Sequence, residues 1–197
     1  MKKRGRRLLA APITVLFFVG LICTDRTGEA AVTLLAALLH ECGHLLAARW
    51  MKIPLRSMRI DLLGARLDVG DRLLPYGEEW LLAASGPLAS LLFAALACPL
   101  WHRFSLAFVF SAVSLLLGLL NLLPVGSFDG GRMTEALLAR TLGAKKAYFI
   151  VSLLTLSALL LLWLFSVYLL LRAGGGLSLF CFSVNLLSRF LECGKIG

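Results

Sequence analysis

His40, Glu41 and His44, set in the run HECGH, are the residues of this chain whose types and spacing could do chemistry. On a helix the two histidines share one face a turn apart, about 6 Å along the axis, with Glu41 projecting beside them. Two imidazoles so placed can hold a zinc ion. The neighbouring carboxylate can then take a proton from a water whose pKa the metal has lowered to about 7, which is the chemistry of a zinc hydrolase. The flanks are apolar, with Leu34, Leu35, Leu38 and Leu39 before the motif and Leu45 and Leu46 after it. Ionisable groups inside such a run are costly to bury, so their presence marks function rather than accident. Cys42 points away from the His40/His44 face and is left out of the ligand set.

A catalytic zinc site takes three protein ligands and keeps a fourth position open. His102 is the one other histidine, but it falls in the WHRF loop at the outer end of its segment. Asp129, in NLLPVGSFDGGR, is the better candidate. Pro124 ends the preceding helix, Gly126 loosens the backbone, and Gly130 and Gly131 permit a close turn just after the aspartate. Broken backbone near membrane depth is tolerated where protein buries it or a wet cavity receives it. Taken alone, this stretch reads as a cytoplasmic turn with an aspartate capping the next helix. Coupled to HECGH and approached from the same side, Asp129 becomes the preferred third ligand.

The elements that must position these residues are membrane helices. Of 197 residues, 59% are hydrophobic and 16% charged, and mean hydropathy is +0.88, which excludes a soluble domain. Six segments are candidates for spanning: Leu8–Cys23, Ala30–Trp50, Trp80–Leu100, Phe104–Leu123, Phe149–Leu171 and a short Leu177–Phe190 that barely crosses a core of about 30 Å. With the N-terminus inside, seventeen of the 20 Lys and Arg residues fall on the inside and only Arg26, Arg103 and Arg172 outside. That asymmetry supports six helices with both termini cytoplasmic, and it accounts for the net charge of +9 without nucleic acid. The first segment reads as a retained anchor, because no small-x-small cleavage site follows Leu21. Five dispersed cysteines (Cys23, Cys42, Cys98, Cys181, Cys193) lack metal-type spacing and read as packing residues.

Gly86, Ser90 and Ala94 put small residues at four-residue spacing on the third segment, which lets a neighbouring backbone approach closely. Pro54–Val69 is too polar to span and shows strand-like alternation around a turn at Gly64. It reads either as a hairpin edge that captures an extended peptide by strand addition or as a loop whose Arg56, Arg59 and Arg66 meet anionic headgroups.

The order HECGH, then ASGPLAS at Ala84–Ser90, then N-x-x-P-x-x-x-x-D-G at Asn121, Pro124, Asp129 and Gly130 resembles the site-2 proteases, which are intramembrane zinc metalloproteases. The resemblance covers roughly Ala30–Arg132. It implies His40, His44 and Asp129 as zinc ligands, Glu41 as general base, and Asn121 as a polar residue near the substrate or gate. A small six-helix form without a PDZ insertion is similar to the sporulation stage IV FB branch, which implies a membrane-associated sigma-factor precursor as substrate. That branch often carries a C-terminal CBS domain, and the residues after Phe190 could not form one.

The expected protein is thus all-α and polytopic, a single membrane domain over 1–197. Its three-helix catalytic core covers about 30–132, the accessory helices are 8–23, 149–171 and 177–190, and a short hairpin or re-entrant loop joins the second and third helices. Its expected cofactor is Zn2+. Its expected partners are a membrane-associated protein substrate, a regulatory membrane protein and the lipid bilayer. A divalent-metal transporter would need further intramembrane ligands and a route to both faces, and an inactive scaffold would have no use for an intact Glu41.

Overall fold

The computed structural model describes residues 25–53, 57–61, 64–68, 74–126, 128–173 and 177–193. The first expected segment, Leu8–Cys23, lies outside them. The chain divides into two compact units, Met1–Leu123 and Pro124–Gly197.

In the first unit, helix α1 (Glu29–Trp50) carries HECGH. Its start is bracketed from outside: Asp25 Oδ2 accepts the Ala30 N–H at 2.7 Å, while Oδ1 accepts the Thr27 N–H at 2.9 Å and the Thr27 hydroxyl at 2.7 Å. A carboxylate there satisfies amides that no preceding turn can reach. At the other end the Met51 and Ile53 amides fold back onto the Ala47 and Ala48 carbonyls, and Lys52 takes a left-handed φ of 53°. This closes the helix and tucks Ile53 against Ala48 and Leu82.

Strands β1 (Ser57–Asp61) and β2 (Gly64–Asp68) pair antiparallel, with Arg59 opposite Arg66. Gly64 opens β2; residues 54–56, 62–63 and 69 of the surrounding segment lie outside the described residues. Helix α2 (Tyr76–Ala97) follows Pro75 with Glu78 and Glu79 in its first turn, charges that suit a helix N-terminus. It begins four residues before the apolar run does, since hydropathy does not register an acidic first turn. A 3₁₀ turn (Cys98–Leu100) leads to α3 (Ser105–Asn121).

These helices bury small residues and expose large ones. Gly86, Ser90 and Ala94 of α2 and Ser111, Ser114 and Gly118 of α3 are buried, whereas Leu46, Leu88, Leu92, Leu96 and Leu116 face outward. Lipid tails are as apolar as leucine, so helices in a bilayer gain by close backbone approach rather than by hiding leucine. Gly43 makes the approach of α1 to α2 possible: a Cβ there would stand 2.7 Å from both the Ala89 Cβ and the Ser85 carbonyl oxygen. Across the α2/α3 contact the Ser111 hydroxyl donates to the Ala94 carbonyl at 2.8 Å.

The second unit begins with the Pro124–Phe128 loop and continues through α4 (Asp129–Leu142), α5 (Ala144–Ala173) and α6 (Leu177–Cys193). Hydropathy does not reveal α4, because fourteen residues containing Arg132, Glu135 and Arg140 form no spanning run. Gly130 and Gly131, expected to make a turn, instead form its first helical turn. Gly143, at φ 83°, ends α4 in a conformation that glycine adopts without penalty and lets α5 start at once. Helix α5, at 30 residues about 45 Å long, extends beyond both ends of the apolar run Phe149–Leu171. It packs on α4 and on α6, where the buried hydroxyls of Ser166 and Ser183 meet at 3.1 Å.

Among the described residues, Glu29–Trp50, Tyr76–Leu100 and Ala144–Arg172 are long and apolar enough to cross a bilayer; Ser105–Asn121 and Leu179–Ser188 are shorter apolar helices. Several such helices in one chain make this a multi-pass membrane protein.

Candidate metal centre

HECGH is helical throughout, so the spacing has the geometric consequence expected of it. His40 and His44 are buried, at 5% and 6% exposure, and their rings meet edge to face with centroids 5.1 Å apart. Glu41 is half-buried beside them, and Cys42 is exposed on another face of α1.

Both imidazoles are anchored to α2, which runs antiparallel to α1. His44 Nδ1 lies 2.8 Å from the Leu82 carbonyl oxygen and 3.3 Å from Ser85 Oγ. A carbonyl only accepts, so this bond places the proton on Nδ1 and leaves the lone pair of the neutral ring on Nε2. That is the tautomer a metal ligand needs, held by the kind of outer hydrogen bond that orients metal-binding histidines. His40 Nδ1 lies 2.9 Å from Ser90 Oγ, whose residue is itself fully buried.

Gly86 makes room for the His44 ring. A Cβ at position 86 would overlap Nε2 and stand 2.5 Å from Cε1 and 2.8 Å from Cδ2. Pro87, next along, removes a helix N–H inside α2, and both residues are buried. The donor chemistry fits zinc: two imidazoles on one face of an apolar helix, His44 held through Nδ1 by the Leu82 carbonyl, and the Glu41 carboxylate beside them.

Asn121 is the last residue of α3, and its amide donates back to the Leu117 carbonyl at 3.0 Å. Asp129 is the first residue of α4, preceded by Phe128 in extended conformation. A carboxylate in a first turn is favoured by the exposed N–H groups there. Its side chain is 13% exposed, and Arg132 Nη1 stands 4.0 Å from Oδ1. Gly131 is glycine for a steric reason: a Cβ there would collide with the Val125 carbonyl, which already accepts the Phe128 N–H at 2.8 Å. His102 follows the 3₁₀ turn beyond the end of α2, whose last residue, Ala97, is already seven residues past Ser90, a rise of about 10 Å.

Three features of this centre were not foreseen from the sequence: the Leu82 carbonyl, Ser85 and Ser90 as partners of the histidines. Ser90 stood in a stripe of small residues and at the end of ASGPLAS, with no role of its own, and a backbone carbonyl has no sequence signature at all.

Comparison with known proteins agrees with the fold. The model of peptidase family M50 matches residues 100–165, which include Asn121 and Asp129 and leave HECGH outside. Over 124 residues the chain is 37% identical to the putative zinc metalloprotease Rip3 of Mycobacterium tuberculosis, covering 57% of this chain and 32% of that protein. The chain thus spans about a third of the length of the curated relatives it matches. The site-2 protease of Methanocaldococcus jannaschii has the same fold, with a TM-score of 0.69 at 20% identity over 93% of this chain and 87% of that one. The helical architecture and the buried HExxH pair accord with these likenesses. The chain is similar to peptidase family M50 over residues 100–165 and shares the fold of a site-2 protease. Zinc is the metal that this similarity implies.

Proposed function

We propose that this protein is an intramembrane zinc endopeptidase that cuts a membrane-associated protein near the cytoplasmic side of the bilayer. The observation that carries the reading is the buried His40/His44 pair, with His44 held in its metal-binding tautomer by the Leu82 carbonyl and Glu41 alongside.

His40, His44 and Asp129 are the proposed ligands, from the order of the two motifs and from a donor set of two imidazoles and a carboxylate that suits zinc. Bound zinc supplies Lewis-acid polarisation of a carbonyl and a lowered water pKa. Glu41 takes the proton of the attacking water and passes it to the leaving amine. Asn121, at the end of α3, offers an amide to the substrate. A helical substrate hides its carbonyls, so the segment to be cut must unwind, and the β1/β2 edge offers main-chain partners to an extended strand.

The proposal extends to one catalytic domain over 1–197 with a core near 30–132, six spans and both termini cytoplasmic, from the distribution of Lys and Arg. The proposed substrate is a sigma-factor precursor of the sporulation type, on the strength of motif order and a small helical form without a PDZ insertion. Co-expression of a tagged membrane-associated precursor with the wild-type protein and with Glu41→Gln tests both levels. A product band with the wild type alone supports the reading, and equal processing by the two proteins refutes it.

A further inference from the structure

Helix α5 lies outside the expected three-helix core, yet it grips the loop that delivers Asp129. Thr155 sits in the middle of α5 and is 1% exposed. Its hydroxyl donates to the Val151 carbonyl at 2.6 Å, which commits its proton and turns its lone pairs outward. The Gly126 N–H donates to that same oxygen at 2.8 Å.

Gly126 lies in a stretch that belongs to no helix, so its N–H has no ladder partner. A main-chain donor outside any helix needs a partner from elsewhere, and the Thr155 oxygen supplies it. The grip carries forward by contact. A Cβ at Gly131 would stand 2.7 Å from the Gly126 Cα, so the first turn of α4 rests directly on residue 126. The Val125 carbonyl, accepting the Phe128 N–H, closes the loop just before the helix. Asp129 is the first residue of that turn.

We infer that Thr155 is a positioning residue for the proposed metal ligand Asp129: by accepting the Gly126 N–H it fixes the backbone turn from which the carboxylate projects. This rests on Asp129 being a ligand. Helix α5 is then part of the catalytic apparatus rather than an accessory span.

Thr155→Val tests it, because valine keeps the shape and apolar face of threonine while deleting the oxygen. Zinc affinity of the metal-free full-length protein in detergent is read by competition with a chromophoric chelator. Alongside are Thr155→Ser, which restores the hydroxyl, Ser166→Ala, which removes a buried α5 hydroxyl away from the loop, and Asp129→Ala. The expected result is zinc binding weakened about 10- to 100-fold in Thr155→Val, the range seen when a partner behind a ligand is lost. Thr155→Ser and Ser166→Ala should bind as the wild type does, and hydrogen exchange over 125–131 should rise in Thr155→Val alone. Wild-type zinc affinity in Thr155→Val beside a deficient Asp129→Ala overturns the inference and leaves the ligand assignment standing. Equal losses in Thr155→Val, Thr155→Ser and Ser166→Ala also overturn it, since they mark general damage to α5. Full zinc affinity in Asp129→Ala overturns the ligand assignment and the inference together.

Discussion

His44 Nδ1 and the Leu82 carbonyl oxygen stand 2.8 Å apart, joining HECGH to the second helix through main chain rather than through a side chain. No substitution at position 82 can remove that acceptor, so the tautomer of His44 is tied to the register of α1 against α2. Whatever shifts that register disturbs the ring directly. Gly43, Gly86 and Ser90 all lie in this contact.

Base and ligand should separate cleanly. Glu41→Gln removes the proton acceptor and preserves both imidazoles, so zinc content should stay near one per chain while turnover falls by several orders of magnitude. His44→Ala should lose both. Metal analysis of the purified proteins beside a cleavage assay checks this, and a Glu41→Gln protein with substantial activity removes Glu41 from its role.

Gly86→Ala should be more damaging than its size suggests. The added methyl meets the His44 ring, and the ring cannot turn away without breaking the bond to Leu82. We expect zinc affinity at least about tenfold weaker with helical content retained. Gly77→Ala, in the first turn of α2 where a Cβ meets nothing within 4 Å, is the matched control and should bind zinc normally.

The start of α1 should respond to acid. The Thr27 hydroxyl, followed by the Ala30 and Thr27 amides, holds the Asp25 carboxyl below the usual aspartate range. A lowered folded pKa means that the bracket is complete above the ordinary carboxylate range and is lost as pH falls through the lowered value. Asp25→Ala should therefore raise amide exchange over 29–33 near neutral pH. The difference from wild type should shrink in acid, and a pH-independent difference would refute the account.

Orientation can be read from side-selective labelling in a cysteine-free background. A cysteine at Lys145, in the first turn of α5, should react only from the cytoplasm, and one at Arg103 only from outside. Reaction of Lys145→Cys from outside would overturn the six-span topology.

The proposed chemistry was legible because it is local. His40, Glu41 and His44 lie within five residues, and helix periodicity alone puts the histidines on one face. Membrane character was legible for a similar reason, since spanning helices must be long and apolar whatever they touch. Helix α4 was not, because fourteen mixed residues are held by packing on α5 rather than by a composition of their own. The partners of the histidines were hidden further still: Leu82 and Ser90 stand 38 and 50 residues away, and the contacts depend on two helices meeting in one register. Thr155, 29 residues from Gly126, looks from sequence like any threonine in an apolar helix. Its hydroxyl acquires a purpose only when folding brings to it a loop amide that no helix ladder satisfies. Spacing along one helix determined which atoms could bind metal and move a proton; the pairing of distant backbones decided which tautomer the His44 ring adopts and what holds the Asp129 turn in place.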